Sequence, residues 1–459
     1  MPAQAEALIL IDANSGKVLR ADNAAYPWHP ASTTKLMTLY LTLSALRDNR
    51  ITPDTLFTVS ANAAMQSPTK MGFPPGTQVT VDNALKMMMV KSANDMAMML
   101  AEGLGGTVDQ FAAQMTDTAH RLGMTETNYV NPNGLPDDNQ ISSARDLAIL
   151  ARALIHDFPQ YSSYWHIPAI KYGHRIVRNY NPLLGRYPGA DGMKTGFVCA
   201  SGFNLVATAE RDNKRLIAVV LGAPSSSARA VKAAELLQYG FNQSPMSWLT
   251  PSLGTVDALA PIDAAPPDLT DQMCGRHRRR AATEEDDPDA DIGSGGGSAE
   301  SADTGPKFSV ILSALRAPNA NNLLLDPGPI TPVVVYTGPT RNADQIAKLE
   351  AEIAAEPVRK HAKRKAAAAK PGEQRLAKPV AQGAAKPAHR ATKPLEHKPA
   401  AQLDGKLKDR HAAARPWTPM SASALAASPP PDLKADAPAA AAALKEPAKP
   451  RSAAAEIPQ

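Results

Sequence analysis

Residues 30–43 read PASTTKLMTLYLTL, and this stretch determines how the first half of the chain is expected to fold. Its apolar side chains recur at helical spacing, at Leu36, Leu39, Tyr40 and Leu43. This periodicity predicts a helix that begins near Ser32. Ser32 and Lys35 lie three residues apart, so they share one helix face and are close enough to interact. Backbone N–H groups at a helix start also favour negative charge beside Ser32.

The segments on either side of this helix predict a mixed α/β fold. Residues 7–19 read as a β-hairpin, because the turn Asn14-Ser15-Gly16 separates two short apolar runs. Further helices are expected at residues 82–104, with a break near 91–94, and at 109–122, 143–155 and 228–241. Two strands are expected at residues 203–208 and 216–221. This order of strands, helices and strands indicates an antiparallel sheet flanked by helices, with a helical subdomain.

Composition changes near residue 245 and predicts the domain organisation. The chain has 41 prolines but only 8 phenylalanines and 4 tryptophans, and most of the prolines lie in the second half. We therefore expect one folded domain over residues 6–245 and little contribution to its core from the residues that follow. A charged, Gly/Ser-rich linker is expected over 246–305, and an Ala/Lys/Pro-rich, disordered tail over 359–459.

Residues 306–358 contain the apolar stretches of the second half and could form a small ordered segment. The run Val333-Val334-Val335-Tyr336 is typical of an edge strand or a small ordered patch. Ile346, Leu349 and Ile353 have the spacing of one short amphipathic helix.

Charge and cysteine content exclude several classes of site. The net charge of +5 suits contact with an anionic polymer but selects no partner, and no nucleic-acid partner is expected. Cys199 and Cys274 are the two cysteines, too few for a disulfide framework and without metal-ligand spacing. One bridge between them is an option, although two unrelated thiols are the favoured interpretation. We expect no metal ion and no organic cofactor.

The first residues suggest export to the cell envelope. Ala3-Gln4-Ala5 has the small-x-small form of a signal-peptide cleavage site. We therefore expect that an apolar export segment is missing from this chain, and that the protein works in the periplasm or cell envelope. The alternative is that an Ala-rich start has no meaning. No segment is long and apolar enough to span a membrane.

Three short motifs carry candidate chemistry. Ser32 can act as a nucleophile if Lys35 is neutral and takes its proton, although Ser32 could also simply cap a helix. In the second motif, Ser92-Ala93-Asn94, a hydroxyl and a carboxamide can face one cleft, or cap the next helix. In the third motif, Lys194-Thr195-Gly196, a lysine and a threonine on an edge strand can hold a carboxylate, while glycine leaves room beside the backbone.

The order Ser-x-x-Lys, Ser-x-Asn, Lys-Thr-Gly is the set found in β-lactamases and penicillin-binding proteins. With these motifs, residues 6 to about 242 resemble the low-molecular-weight penicillin-binding proteins of the D-alanyl-D-alanine carboxypeptidase family. The resemblance extends to Ile11–Leu19, Asn133-Gly134-Leu135 and Ser142–Asp146. It implies the β-lactamase/penicillin-binding-protein-like transpeptidase fold.

The resemblance also implies a role for each motif residue. Ser32 would attack the carbonyl between two D-alanines, and Lys35 would accept its proton. The backbone N–H groups of Ser32 and Phe197 would form the oxyanion hole, with Gly196 leaving room for substrate. Ser92 would pass a proton to the leaving D-alanine, and Lys194 would supply positive potential.

For substrate binding, the resemblance implies three further residues. Asn94 would orient the peptide and Thr195 would meet its terminal carboxylate. Arg229 would lie near that carboxylate, or else be a solvated arginine at a helix start. β-Lactam antibiotics would acylate Ser32, and the basic tail could contact the cell wall.

The sequence departs from this family at several points, and alternatives stay open. Phe197 stands where close relatives often carry histidine, and neither a β-rich second domain nor a terminal amphipathic helix is evident. A D,D-endopeptidase or a β-lactamase of the same fold remains an alternative, although no residue is assignable as a deacylating base. A non-catalytic wall-binding protein is the third alternative, against which the intact motifs argue.

Overall fold

The computed structural model describes residues 6–243, 253–275, 323–326 and 328–355. These residues belong to one compact unit, Met1–Arg364. The tail expected over residues 359–459 lies outside the described residues.

The strands follow one another along the chain and are numbered in that order. They are β1 (Ala7–Asp12), β2 (Val18–Asp22), β3 (Leu56–Thr58), β4 (Gln78–Thr80), β5 (Ala169–Tyr172), β6 (Arg175–Arg178), β7 (Ala190–Val198), β8 (Gly202–Arg211), β9 (Lys214–Ala223) and β10 (Val333–Val334).

The helices fall mostly between β2 and β5. They are α1 (Lys35–Arg47), α2 (Ala61–Met65), α3 (Val81–Val90), α4 (Asn94–Gly105), α5 (Val108–Arg121), α6 (Ala144–Asp157), α7 (Ser163–His166), α8 (Ser226–Phe241), α9 (Thr270–Cys274) and α10 (Ala343–Ala355). A single 3₁₀ turn, Ala31–Thr34, precedes α1. The helices expected from periodicity, including the break near residues 91–94, are confirmed.

A five-stranded antiparallel sheet in the order β2-β1-β9-β8-β7 is the centre of the fold. Nearly every residue of β8 and β9 is buried, and helices α6 and α8 pack against them. Burial on both faces explains why these strands read as continuous apolar runs rather than alternating ones. Strand β7, which carries the Lys-Thr-Gly motif, lies at the edge of the sheet.

Five of the described helices, α2, α3, α5, α6 and α8, begin at a serine or threonine that caps them. The side chains of Ser60, Thr80, Thr107, Ser143 and Ser225 each accept a hydrogen bond from a backbone N–H of the first helical turn. Such caps satisfy N–H groups that the helix itself cannot. Between the caps, α3 and α4 bury a cluster of methionines, Met87, Met88, Met89, Met96, Met98 and Met99.

Residues 253–275 differ from the flexible linker expected over 246–305. Val256 and Leu269 are fully buried and belong to the main core. The backbone N–H of Leu269 donates to the carbonyl of Ala200 at 2.9 Å. Arg145 Nε donates to the carbonyl of Val256 at 3.1 Å. The few apolar residues of this stretch are too widely spaced to show a period, although Val256, Leu269 and Met273 are buried against the domain.

The two cysteines form a disulfide, contrary to the favoured interpretation of two unrelated thiols. Cys199 and Cys274 are joined across 75 residues of sequence, with their Cα atoms 5.7 Å apart. Cys199 belongs to the connection between β7 and β8. The bridge therefore ties residues 253–275 to the end of the strand that carries the third motif.

Residues 328–355, here called the returning segment, also pack on the domain. Strand β10 pairs in parallel with β5 at one edge of a three-stranded sheet, so the expected edge strand is confirmed. Helix α10 confirms the expected amphipathic helix. Val335 and Tyr336 are buried, so the expectation that residues beyond 245 add little to the core is wrong at these positions.

None of the helices in the described parts of the chain combines the length and apolarity needed to cross a bilayer.

Replacing Leu269 tests the packing of residues 253–275. We expect Leu269→Ala to lower the free energy of unfolding by about 2–5 kcal/mol, because it leaves a cavity in the core. Leu253→Ala is the matched control: Leu253 lies in the same stretch but is 52% exposed, and its loss should change stability by less than about 0.5 kcal/mol. Urea denaturation gives both values, and equal effects would contradict this packing.

Candidate active site

Ser32 and Lys35 meet at the junction between the 3₁₀ turn and α1. Lys35 is the first residue of α1, and its Nζ lies 2.9 Å from Ser32 Oγ. Ser32 is partly exposed, whereas Lys35 is fully buried. The capping alternative for Ser32 is not supported, because neither the turn nor α1 has a side-chain cap.

The amine of Lys35 is held by three oxygens from three parts of the chain. Besides Ser32 Oγ, it lies 2.7 Å from Asn94 Oδ1 and 2.6 Å from the backbone carbonyl oxygen of Asn133. A buried amine is costly unless its hydrogens are bonded. These contacts therefore fix Lys35 Nζ against the hydroxyl of Ser32.

The carbonyl of Asn133 is a functional group that sequence reasoning missed. It reaches Lys35 because the turn that contains it packs tightly against the residue before Ser32. Gly134 has φ +80°, and a Cβ atom there would collide with the carbonyl of Ala31. Residues 131–134 read Asn-Pro-Asn-Gly, which is typical of a turn, but a backbone carbonyl leaves no signal of its own in the sequence.

The second motif lies in the connection between α3 and α4. Ser92 adopts a left-handed conformation with φ 59°, and its buried Oγ has no hydrogen-bond partner among the described residues. Asn94 donates from Nδ2 to the carbonyl of Ser67 at 2.9 Å while Oδ1 accepts from Lys35. Asn94 thus links Lys35 to residues 66–77, here called the motif loop.

Further hydrogen bonds join the motif loop to the connection between α3 and α4 and to the start of α4. The backbone N–H of Asn94 donates to the carbonyl of Thr69, whose Oγ1 donates to the carbonyl of Ser92. The carboxylate of Asp95 accepts from the backbone N–H groups of Met71 and Gly72. These bonds hold the second motif in one position relative to the loop.

The third motif lies on β7, directly beside the turn of Ser32. A Cβ atom on Gly196 would lie 2.8 Å from Ser32 N, so only glycine allows this approach. Asn204 on β8 reinforces it by donating from Nδ2 to the carbonyl of Pro30 at 3.2 Å. Phe197 follows Gly196 on β7, so it is the residue next to the contact between the strand and the turn of Ser32.

The side chains of the third motif are buried. Lys194 Nζ donates to the carbonyl of Thr195 at 3.0 Å. The hydroxyl of Thr195 has no hydrogen-bond partner among the described residues. A buried hydroxyl without a partner costs free energy, so Thr195 and Ser92 are the polar groups of the site that a ligand would best satisfy.

An ion-pair cluster anchors the start of β7. Burial alone would raise the pKa of Asp191, but the imidazole of His166 nearby, a hydrogen bond from Thr208 and the charge of Arg215 hold that pKa below its usual value. Arg215 Nη1 lies 2.9 Å from the Asp191 carboxylate. The carboxylate stays ionised and fixes the strand three residues before Lys194.

Arg229 is fully buried. This excludes the alternative that it is a solvated arginine at the start of a helix. It donates from Nη1 to the carbonyls of Gly196 and Asn204 at 3.3 and 3.2 Å. Its guanidinium also lies over the ring of Phe203, which packs against Phe197 at a centroid distance of 4.4 Å. Arg229 therefore supports the Lys-Thr-Gly strand at its backbone.

The structure brings Ser32, Lys35, Asn94 and Gly196 of the sequence-predicted residues into direct contact. Direct hydrogen bonds connect Lys35 with Ser32 and Asn94, and Gly196 touches the turn of Ser32. The described residues contain no group of three or more histidine, cysteine or acidic side chains that could hold a metal ion.

Comparisons with known proteins agree with this arrangement. The sequence profile of the D-alanyl-D-alanine carboxypeptidase family, peptidase family S11, matches residues 2–225. D-alanyl-D-alanine carboxypeptidase DacB2 of Mycobacterium tuberculosis is 33% identical over 256 residues, which cover 53% of this chain and 84% of that protein. The chain belongs to the D-alanyl-D-alanine carboxypeptidase family.

Other members of the family extend beyond the matched region. D-alanyl-D-alanine carboxypeptidase DacD of Salmonella typhimurium is 37% identical over 243 residues, but these cover 51% of this chain and 62% of that relative. The crystal structure of penicillin binding protein 5 from Haemophilus influenzae matches with a TM-score of 0.50 and 36% identity, over 52% of this chain and 72% of that one. This likeness confirms the expected penicillin-binding-protein-like fold.

Replacing Gly134 tests how tightly the turn of Asn133 packs against Ala31, the residue before Ser32. Gly134→Ala should destabilise the protein more than Gly123→Ala. Both glycines have positive φ, so both variants carry the backbone strain of about 1–2 kcal/mol, but nothing lies within 4 Å of a Cβ on Gly123. Chemical denaturation measures the difference. Equal losses would show that the turn can move away from Ala31 without cost.

Proposed function

We propose that this chain is a serine-type D-alanyl-D-alanine carboxypeptidase, a hydrolase that removes the terminal D-alanine from peptidoglycan stem pentapeptides. The observation that carries the proposal is the environment of Lys35, whose buried amine lies 2.9 Å from Ser32 Oγ. Family membership supports the substrate class.

The proposal requires a neutral Lys35 amine, and the oxygens of Ser32, Asn94 and Asn133 are compatible with one. Such an amine has two N–H donors and one lone pair. Asn94 Oδ1 and the carbonyl of Asn133 can only accept, so they take the two hydrogens. The lone pair is then directed at the one neighbour that can donate, the hydroxyl of Ser32. Burial also disfavours the charged form of the amine.

Acylation follows from this geometry. Ser32 Oγ attacks the carbonyl carbon between the two D-alanines while its proton moves to Lys35 Nζ. The N–H groups of Ser32 and Phe197 stabilise the negative charge that develops on the carbonyl oxygen. Ser92 passes a proton to the nitrogen of the leaving D-alanine as the peptide bond breaks. Water then hydrolyses the ester on Ser32 and restores the enzyme.

The third motif binds the substrate. The hydroxyl of Thr195, which has no hydrogen-bond partner among the described residues, meets the terminal carboxylate, and Lys194 supplies positive potential beside it. Arg229 adds positive charge behind the strand, where it holds the carbonyl of Gly196. Asn94 has one further N–H with which to orient the peptide, after its bonds to Lys35 and Ser67.

Related activities remain as second candidates. A D,D-endopeptidase would use the same residues on a crosslink between stems. A β-lactamase would need an efficient base for deacylation, and none is assigned. A non-catalytic wall-binding protein would not need Lys35 to be held against Ser32, so the site favours an enzyme. β-Lactams, which mimic the substrate, would acylate Ser32.

The proposed substrate implies work at the cell envelope. Peptidoglycan is assembled outside the cytoplasmic membrane, so the periplasm or cell envelope is the expected location. The recurring Lys-Pro pairs between residues 370 and 450 suit salt-sensitive contact with an anionic wall.

Ser32 is the first residue to replace. Ser32→Ala should abolish both labelling by a fluorescent penicillin and release of D-alanine, because it removes the oxygen on which the acyl-enzyme forms. Ser44→Ala, on helix α1 that follows the turn of Ser32, should leave both unchanged. Gel fluorescence and an amino-acid assay give the readouts, and normal labelling of folded Ser32→Ala would refute the assignment.

The rate of acylation should rise toward alkaline pH. Only the deprotonated amine of Lys35 can accept the proton of Ser32, and its fraction grows as pH increases. Stopped-flow measurement of penicillin acylation from mildly acidic to alkaline pH, over the range in which the protein stays folded, tests this. A flat profile with chemistry rate-limiting would contradict a neutral lysine base.

A further inference from the structure

The returning segment lies beyond the family match, which ends at residue 225, yet it bonds to three elements of the catalytic domain. The N–H of Val335 donates to the carbonyl of Lys171 in β5 at 2.9 Å. The N–H of Tyr336 donates to Asn83 Oδ1 in α3 at 3.1 Å. The N–H of Gly338 donates to the carbonyl of Gln78 in β4 at 2.7 Å.

One path from this segment to the active site runs along α3. Asn83 lies in the first turn of α3 and also donates from Nδ2 to Thr80 Oγ1 at 2.8 Å, the residue that caps the helix. The other end of the same helix, Val90, is two residues from Ser92. Because a helix moves as a rigid rod, a contact that fixes its start also fixes the position of the second motif.

A second path runs through β5 and the motif loop. Tyr172 of β5 packs edge-to-face against Phe73 of the motif loop, with ring centroids 5.3 Å apart. The same loop supplies the carbonyls of Ser67 and Thr69 that hold Asn94. Strand β5 is held between β6 and β10, so removing β10 would expose one edge of the strand that supports the loop.

We propose that the returning segment is a positioning element for the reaction, which holds α3 and β5 so that Ser92 and Asn94 stay in register with Ser32 and Lys35. This inference rests on the proposed function. It differs from a purely structural role because undocking the segment would slow acylation while the domain stays folded.

Replacing Val335 is the most direct way to detach the returning segment from the domain. It is 1% exposed, so a charge there cannot remain buried without a large cost. The peripheral polar contacts are weaker anchors: the Lys171–Glu350 ion pair at 2.7 Å is partly exposed on both sides, and such pairs contribute little.

The test compares Val335→Asp with Thr331→Asp in the full chain. Thr331 is exposed in the same segment, so it adds the same charge without disturbing the core. Stopped-flow kinetics with a fluorescent penicillin separates the first-order acylation constant from the initial dissociation constant. Hydrogen exchange reports protection at residues 333–338, and thermal melting confirms that each variant is folded at the assay temperature.

We expect Val335→Asp to lose protection at residues 333–338 and to lower the acylation constant on the order of tenfold, since small displacements of reacting groups have effects of that size or larger. Thr331→Asp and the conservative Val335→Ile should keep the wild-type rate. If Val335→Asp does not fold, Val335→Ala replaces it, with a smaller change in the same direction.

Three outcomes separate this inference from the proposed function. If the segment undocks but acylation matches Thr331→Asp, the positioning role is refuted while the enzyme assignment stands. Unchanged protection in the Val335 variant would refute it as well, because Val335 would not anchor the segment. If the wild-type protein itself is not acylated, the proposed function fails first.

Discussion

A fully buried lysine amine must have its hydrogens bonded, and the rest of the site is arranged around that requirement at Lys35. The two acceptors beside Ser32 come from distant places, the side chain of Asn94 and the backbone of Asn133. Each acceptor needs its own support: the motif loop holds Asn94, and Gly134 lets the turn of Asn133 reach Ala31. Losing either support would leave the amine partly unbonded and poorly aimed at Ser32.

The edge strand β7 also packs against the turn that contains Ser32. Gly196 allows the strand to touch the turn of Ser32, and Asn204 ties the residues before Ser32 to the sheet. Arg229 braces the strand at the carbonyl of Gly196, and the disulfide from Cys199 fastens its far end to residues 253–275. The active site thus depends on parts of the chain that lie outside the motifs.

The sequence predicts local features well and long-range contacts poorly. Ser32 and Lys35 are recognisable because their spacing alone places them together, and the order of the motifs indicates the family. The role of Asn133 is not predictable, because it acts through a carbonyl that every residue has. The pairing of Cys199 with Cys274 and the docking of Val335 on β5 depend on partners far away in sequence, which periodicity does not identify.

We propose that Lys35 and Ser32 form an acyl-transfer site for peptides ending in D-Ala-D-Ala. Mass spectrometry of a synthetic stem pentapeptide incubated with the protein tests it most directly. We expect a tetrapeptide and free D-alanine in equal amounts, with no cleavage elsewhere in the peptide. An intact pentapeptide after prolonged incubation with protein that a penicillin does acylate would contradict carboxypeptidase activity.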